Sequence, residues 1–404
     1  MTREEIHSLC LNEVGRHHCL MLELATGFGK TKLAIDLVNH VGRTLNKTPT
    51  LLLLVAKRVH KQTWQQEFEK WGGIDADVTI ECYESLKKHM DERFDVIVLD
   101  EVHHIKSEIR TQLLETVHFT YMFGLSATIP KTLKKYLRYR YQAKVISCDI
   151  TEAIEDEVLP EPKILLFPLT LDNTEATETI EVNPKAKGPV YMGLYKDLWK
   201  CKKNKVHALL SCTQAQKIQE QNKIILWAKN RYMQTGAPAM KNLWLHHAGK
   251  RLEFLSSFKV PLIKDILTRL KNCRSITFCK SIEQAELLGK NCIHSKNGDA
   301  EEVFRRFNSK KIRHITAVNI LNENANLVDC KYAVFTNLSS SDVVIPQRLG
   351  RSMRHKHPVI IVPYYKDTRE EEIVKKMFAG YNHKFIRTIM SVDQITRRTT
   401  MKKQ

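Results

Sequence analysis

Thr26-Gly27-Phe28-Gly29-Lys30-Thr31 brings together two glycines, a lysine and hydroxyls, the residue types that hold a phosphate. Glycines let successive backbone N–H groups curl inward, a lysine ammonium reaches the β- and γ-phosphates, and a threonine hydroxyl can hold a magnesium ion. All six residues are therefore candidates for nucleotide binding, against the plainer reading of an ordinary strand-to-helix turn. Further on, Asp100-Glu101-Val102-His103 sets adjacent carboxylates behind an apolar run. One acid, Asp100, can share magnesium with Thr31, and the next can orient a water. Such a pair is equally at home in a solvated turn; its place after a buried strand is what directs it to the nucleotide. Ser126-Ala127-Thr128 closes the next apolar run with two small hydroxyls. Near position 350, Gln347-Arg348-Leu349-Gly350-Arg351-Ser352-Met353-Arg354 places Arg351 and Arg354 three apart on one face of a helical turn, where guanidinium groups match phosphate oxygens.

Those residues need elements to carry them. Apolar, β-rich runs at Leu20 to Leu24, Leu51 to Ala56, Val78 to Cys82, Phe94 to Leu99, Tyr121 to Leu125 and Lys144 to Ser147 alternate with helix-like segments. The alternation predicts a mostly parallel sheet wrapped by helices, with ligands bound beyond the carboxyl ends of its strands. A second series, without a phosphate loop, runs from a helix at Leu262 to Leu270 through strands at Ser275 to Cys279, Ile315 to Val318, Tyr332 to Thr336 and Val359 to Val362. Between the two, Leu159-Pro160-Glu161-Pro162 marks a break, and Lys163 to Leu169 reads as one more strand at a hinge. From Lys185 to Lys259 there are fifteen Lys/Arg and three Asp/Glu, with apolar residues at helical spacing, which predicts a basic helical insertion.

Bulk properties bound the class. A chain of 404 residues exceeds one typical core, and 43% apolar content is globular. It lacks an apolar run long enough to span a bilayer and opens with mixed charge, so an intracellular setting is expected. Ten cysteines without a C-x-x-C pair read as buried apolar residues, and the His doublets as incidental. A net charge of +19 calls for a polyanionic partner, nucleic acid first. Lys202, Lys203 and Lys205 in the insertion can grip its backbone by counterion release, or can be the solvated face of a helical spacer.

The ordered set Gly-Lys-Thr, Asp-Glu-x-His, Ser-Ala-Thr resembles superfamily 2 helicases of the DExH kind, and with 347–354 the resemblance extends from Leu20 to Tyr365 or thereabouts. It implies an α/β fold of two tandem RecA-like parallel-sheet domains with the basic helical insertion between them. The expected divisions are an ATP-binding domain at 1–160, hinge and insertion at 161–258, a second domain at 259–375 and a charged helix and tail at 376–404. It further implies ATP and Mg²⁺ as cofactors, with Glu101 orienting water, Gln347 near the γ-phosphate or that water, and Arg351 and Arg354 as arginine fingers from the second domain. His103, Ser126, Ala127, Thr128 and Glu323 would couple nucleotide to nucleic acid. Lys57 and Arg58 after the second strand, and Tyr83 and Ser85 after the third, fall where the family touches the nucleic-acid backbone. Trp64 and Trp71, on one helix-like run, read as packed.

Three positions depart from the family pattern. Leu24 stands where a strict phosphate loop has glycine, Thr2 to Val14 holds no glutamine for an adenine-recognition element, and Asn324 replaces a usual glycine. The implied activity is ATP-dependent helicase action, on DNA by likeness to phage-type and restriction-type members, by a monomer. Three alternatives stay open: a duplex translocase without strand separation, an RNA helicase, and an ATP-switched sensor.

Overall fold

The computed structural model describes residues 1–318, 327–338, 355–379 and 381–395. Glu323, Gln347, Arg351 and Arg354 lie outside them.

The first sheet joins β1 (Cys19–Leu24), β2 (Thr50–Val55), β3 (Asp77–Cys82), β4 (Arg93–Asp100), β5 (His118–Ser126) and β6 (Lys144–Cys148) in the order β3-β2-β4-β5-β1-β6, all parallel. Leu51, Leu52, Leu53 and Leu54 are all buried, as strands covered on both faces require. One face is packed by α1 (Arg3–Val14), α2 (Lys30–Leu45) and α3 (Arg58–Lys70), through Ile6, Leu33, Leu37 and Trp64. The other is packed by α4 (Glu108–Glu115) and α5 (Lys131–Tyr141), through Leu114, Leu133 and Leu137. Handedness explains the split. The step from β1 to β2 and the step from β5 to β6 run in opposite directions across the sheet, so right-handed crossovers put their helices on opposite faces. The short helix α6 (Ile150–Glu155), closed by a capping box between Asp149 and Glu152, leads out of this lobe.

The next strand, β7 (Lys163–Leu169), belongs to the second sheet, where it pairs in parallel with β15 (Val359–Tyr365), from Lys163 opposite Val359 to Leu169 opposite Tyr365. Ile164 and Leu165 are fully buried, so this strand sits inside the sheet instead of spanning a hinge. The chain then leaves for the insertion and returns. The second sheet gathers β11 (Ser275–Phe278), β12 (Cys292–Ile293), β13 (His314–Ala317), β14 (Tyr332–Phe335) and β16 (Ile386–Thr388) in the order β12-β13-β11-β14-β15-β7-β16. Helices α10 (Val260–Arg269), α11 (Ile282–Leu288) and α12 (Ala300–Asn308) accompany it, and α10 packs Ile263 and Ile266 against Leu165 and Val334.

The insertion is helical only in its second half. Its first half is a small three-stranded sheet, β8 (Glu178–Val182), β10 (Ala208–Cys212) and β9 (Tyr191–Leu194) in that order, with α7 (Leu198–Lys203) packed on it by Leu198 and Cys201. The alternating burial of Ala208, Leu210 and Cys212 has the strand period, so this part of the stretch expected to be helical is a strand. Two long helices follow, α8 (Gln214–Thr235) and α9 (Pro238–Phe258), stopped and restarted by Gly236 at φ 65° and Pro238.

The insertion rejoins the second lobe through a buried polar knot. Lys259, between α9 and α10, is fully buried; its ammonium donates to Glu370 Oε1 at 2.6 Å and to the Thr336 carbonyl at 3.0 Å. Glu370 Oε2 in turn accepts the Tyr365 N–H at 3.0 Å. Burial drags the Lys259 ammonium below its ordinary range despite the carboxylate beside it.

The C-terminal stretch also departs from expectation. A helix at Arg369–Met377 is followed by buried Tyr381, Phe385, Ile389 and Ile395, which seal β16 onto the sheet. Few apolar residues among many charges made this segment read as a tail. No helix among the described residues is long and apolar enough to cross a membrane.

Candidate nucleotide and nucleic-acid site

In the first sheet β4, β5 and β1 are neighbours and parallel, so the loops that follow them open at one edge. Pairing sets their levels: Glu23 lies opposite Ser126, and Leu125 opposite Asp100. Three stretches far apart in sequence, the phosphate loop, the Asp-Glu pair and Ser126 to Thr128, are thereby brought side by side.

The loop has the geometry its composition predicts. Gly27 and Gly29 adopt φ of 96° and 105°, left-handed values that suit glycine, and Gly29 forms the N-cap of α2 with open space where a Cβ would stand. Lys30 folds back, its ammonium donating to the carbonyls of Leu24 at 2.9 Å and Ala25 at 3.4 Å. Thr26 Oγ1 is buried and has no hydrogen-bond partner among the described residues. A buried hydroxyl without a partner is costly, and a phosphate oxygen would satisfy it. The positive end of α2 adds its dipole to the same place. From outside the loop, the Arg3 guanidinium donates to the Gly27 carbonyl and to the Val158 carbonyl, each at 3.2 Å, tying α1 and the chain after α6 to the loop.

The two acids are held differently. Asp100, 8% exposed, accepts the Trp64 indole N–H on Oδ2 at 2.9 Å. Glu101 is 6% exposed and sits in the left-handed region at φ 52°. A non-glycine residue there carries backbone strain of about 1–2 kcal/mol, which marks a position fixed by its surroundings. Those surroundings are Ser126, whose Oγ lies 3.2 Å from Glu101 Oε2, and His103, whose Nδ1 lies 3.3 Å from the same oxygen and 3.1 Å from Ser126 Oγ. Ser126 Oγ also meets the Thr128 carbonyl at 2.8 Å and accepts the Thr128 N–H at 3.3 Å, which curls the Ser126-Ala127-Thr128 turn. Glu101, His103 and Ser126 therefore form one hydrogen-bonded triangle across two strands.

Trp71 and Tyr83 depart from expectation, and Trp64 meets it with an added role. Trp64 is packed, as expected, but its indole also steadies Asp100; sequence shows an aromatic on a helix, not the strand end it reaches. Trp71 is 43% exposed, with the Lys70 ammonium 4.6 Å from its ring centroid, and is not part of the core. Tyr83 corrects the expectation of a nucleic-acid contact: it is fully buried, and its hydroxyl donates to the Asp100 carbonyl at 2.8 Å. Burial first, then the charges of Asp100 and Glu101, hold its phenol well above the ordinary value, so it serves as a neutral brace beneath the acids. Lys57, Arg58 and Ser85 stay at the surface near the ends of β2 and β3, Ser85 partly buried.

In the insertion, Lys203 and Lys205 are exposed, whereas Lys202 is committed to the buried Glu220 at 2.7 Å. Burial pushes the Glu220 carboxyl up, but hydrogen bonds from Lys202, Lys223 and Tyr195 outweigh it and hold the group below its ordinary value.

Two parallel-sheet lobes, the first bearing a phosphate loop, define an ATP-dependent nucleic-acid helicase or translocase. Residues 3–90 and 73–131 match the family described as the res subunit of type III restriction enzymes, and residues 259–356 match the helicase conserved C-terminal domain. The chain belongs to superfamily 2, in the type III restriction-like group of helicases. It is 23% identical over 385 residues to the DNA 3'-5' translocase XPB2 of Sulfurisphaera tokodaii, covering 89% of this chain and 79% of that one. A probable helicase of Escherichia phage T5 is 29% identical over 120 residues, 26% of this chain and 25% of the phage protein. Among solved structures, the Pyrococcus furiosus Hef helicase domain aligns with a TM-score of 0.51 at 13% identity, over 93% of this chain and 97% of that one. The type ISP restriction-modification enzyme LlaBIII bound to DNA aligns with a TM-score of 0.57 at 13% identity, over 97% of this chain but 31% of that one. Dbp5 of S. cerevisiae, bound to RNA and ADP BeF3, gives 0.56 at 10% identity over 93% of this chain and 87% of that one.

Proposed function

We propose that the chain is a DNA-directed motor that couples ATP hydrolysis to movement along the backbone and to unwinding. The observation that carries this reading is the Glu101–His103–Ser126 triangle, because it wires the carboxylate suited to orienting water to the turn that follows the neighbouring strand. Lys30 and the loop N–H groups would cradle the phosphates, and Thr31 and Asp100 would hold the magnesium ion, which neutralises phosphate charge when bound. Thr26, with its unsatisfied hydroxyl, would meet a phosphate oxygen. Arg351 and Arg354 would reach across from the second lobe and complete the pocket on closure, with Gln347 beside the γ-phosphate or the water, and Glu323 sensing both ligands. Ser126, Ala127, Thr128 and His103 would pass the state of the nucleotide to the nucleic acid, which Lys57, Arg58 and Ser85 contact without reading sequence.

DNA is favoured over RNA by the likeness to the XPB2 DNA translocase and to LlaBIII bound to DNA, while the Dbp5 complex with RNA keeps RNA as the competing substrate. Translocation without strand separation is the second reading, favoured by the likeness to XPB2, a DNA translocase. The deciding experiment measures ATP turnover with single-stranded DNA, duplex DNA, forked DNA and RNA, with Lys30→Ala as the blank. Stimulation by DNA that vanishes in the blank is expected; turnover indifferent to every nucleic acid sinks the proposal. Displacement of a strand from the fork, set beside displacement of a triplex strand, separates unwinding from translocation.

The exposed insertion lysines supply a further check. Lys203→Glu with Lys205→Glu is expected to weaken DNA binding and to flatten its dependence on salt by about 2 units of log–log slope. Lys202 is left intact because reversing it would set a second carboxylate against buried Glu220. An unchanged salt titration refutes a backbone contact there.

A further inference from the structure

We infer that α5 carries a second nucleic-acid contact, a ridge for the phosphate backbone set apart from the residues assigned above. This rests on the reading that the chain works on nucleic acid. Lys131, Lys134, Lys135, Arg138 and Tyr139 line a surface hollow of about 460 Å³. Their spacing along the helix, three, four, seven and eight residues from the first, puts them on one face, while Leu133 and Leu137 bury the other in the core.

The electrostatics of this face are unfavourable until an anion arrives. The helix contains no acid, and Lys131, Lys135 and Arg138 have no carboxylate partner among the described residues. Lys131 and Lys135 are one turn apart, and like charges at that spacing repel, whereas Lys134 is balanced by Glu23. An exposed helix gains nothing in the free protein from such a pattern. A polyanion relieves the repulsion and releases its own counterions in doing so.

Size and place select the ligand. From Lys131 to Arg138 the face extends about 10 Å along the helix axis, the length spanned by about three phosphates on one strand of a duplex. Tyr139, 89% exposed at the far end, offers a ring against which a sugar or an unpaired base can lie. The near end begins directly after the Ser126-Ala127-Thr128 turn. Lys134 pairs with Glu23 of β1, and the other oxygen of Glu23 accepts the Ile129 N–H at 2.8 Å. The ridge is thus joined through Glu23 both to the strand that bears the phosphate loop and to the turn. It uses α5, on the face of the sheet opposite α2 and α3, so a backbone held there is gripped in addition to the strand-end residues.

The test is a Lys131→Glu/Lys135→Glu/Arg138→Glu variant, none of whose sites belongs to the nucleotide machinery. Binding of a fluorescein-labelled duplex and of its single strand is followed by anisotropy across a salt titration. Duplex affinity is expected to fall at least about tenfold at low salt, with the log–log salt slope shallower by about 3 units. The DNA concentration for half-maximal ATPase stimulation should rise in parallel, with unstimulated turnover unchanged. A loss confined to the single strand would also support the ridge and would assign it to unpaired DNA, in which case Tyr139→Ala should weaken that strand too. A parallel set with glutamine at the three positions guards against misfolding by reversal and should give a smaller loss in the same direction. Unaltered affinity and slope for both probes, in variants that melt like the parent, overturn the inference. Absence of DNA stimulation in the parent would instead overturn the proposed function, so the two failures are distinguishable.

Discussion

Glu101→Gln is expected to lower DNA-stimulated ATP turnover by about 10²- to 10⁴-fold while leaving nucleotide and DNA binding within a few-fold of the parent. Glutamine keeps the shape and can still accept from Ser126, whose Oγ lies 3.2 Å from Glu101 Oε2, so the turn after β5 should hold its form. What disappears is the negative charge that would draw a proton from, or align, an attacking water. A single-turnover measurement of hydrolysis beside equilibrium binding separates the two effects. If turnover stayed within about threefold of the parent, Glu101 would be a structural clamp on Ser126 and His103, and another group would have to orient the water. The strain at φ 52° gives an internal control. Glu101→Gly relieves that strain but removes the carboxylate shared by Ser126 and His103 and frees the unfolded chain, so no net gain in stability is expected, while turnover should fall as far as with glutamine.

Lys259→Met is expected to destabilise the second lobe by about 3–5 kcal/mol, because it strands a buried carboxylate with one backbone N–H for company. The melting transition of that lobe should drop by about 10 °C. Adding Glu370→Leu should recover most of the loss, since removing both charges also removes their desolvation cost. Measured melting of the single and double variants decides the matter. Equal losses in both would mean that the knot acts through packing around Tyr365 and Thr336 and not through charge. The knot also has a mechanical consequence. It binds the end of α9 to the end of β14, so the long hairpin of α8 and α9 is rooted in the second sheet and should move with it.

These two sites illustrate how differently sequence and structure informed the molecule. The long strands of both sheets were legible because buried strands need continuous apolar runs, and the helices between them carry their own period; the short strands Cys292–Ile293 and Ile386–Thr388 were not. Leu51 to Val55 could hardly be anything else. The phosphate loop was legible for a related reason: curling a backbone around an anion demands glycine, and Gly27 and Gly29 do adopt the positive φ that this requires. The phosphate loop, the acid pair and Ser126 to Thr128 stood out as short, locally defined sets, each at the end of a strand.

Other features had no local signature. Glu178 to Val182 is polar and Tyr191 to Leu194 is only four residues long, so neither announces a sheet, and only their pairing through Ala208 to Cys212 makes them strands. Tyr83 reads as a surface residue after a strand until the fold carries it beneath Asp100. Trp64 holds that same aspartate from another helix, 36 positions away in sequence. The partner of Lys259 is 111 positions further along the chain, so no window of sequence could relate them.

What the amino-acid order determined alone was therefore every property set within about a turn or a strand's length: the alternation of elements, the anion-binding loop, the adjacent acids, the excess of positive charge. Tertiary structure decided which of those pieces meet. It joined Glu101 to Ser126, turned Tyr83 inward, placed Lys163 to Leu169 inside the second sheet and aligned the charges of α5 on one open face. Local geometry follows from backbone sterics and side-chain type, whereas meetings between distant residues depend on sheet order and crossover handedness, which belong to the chain as a whole.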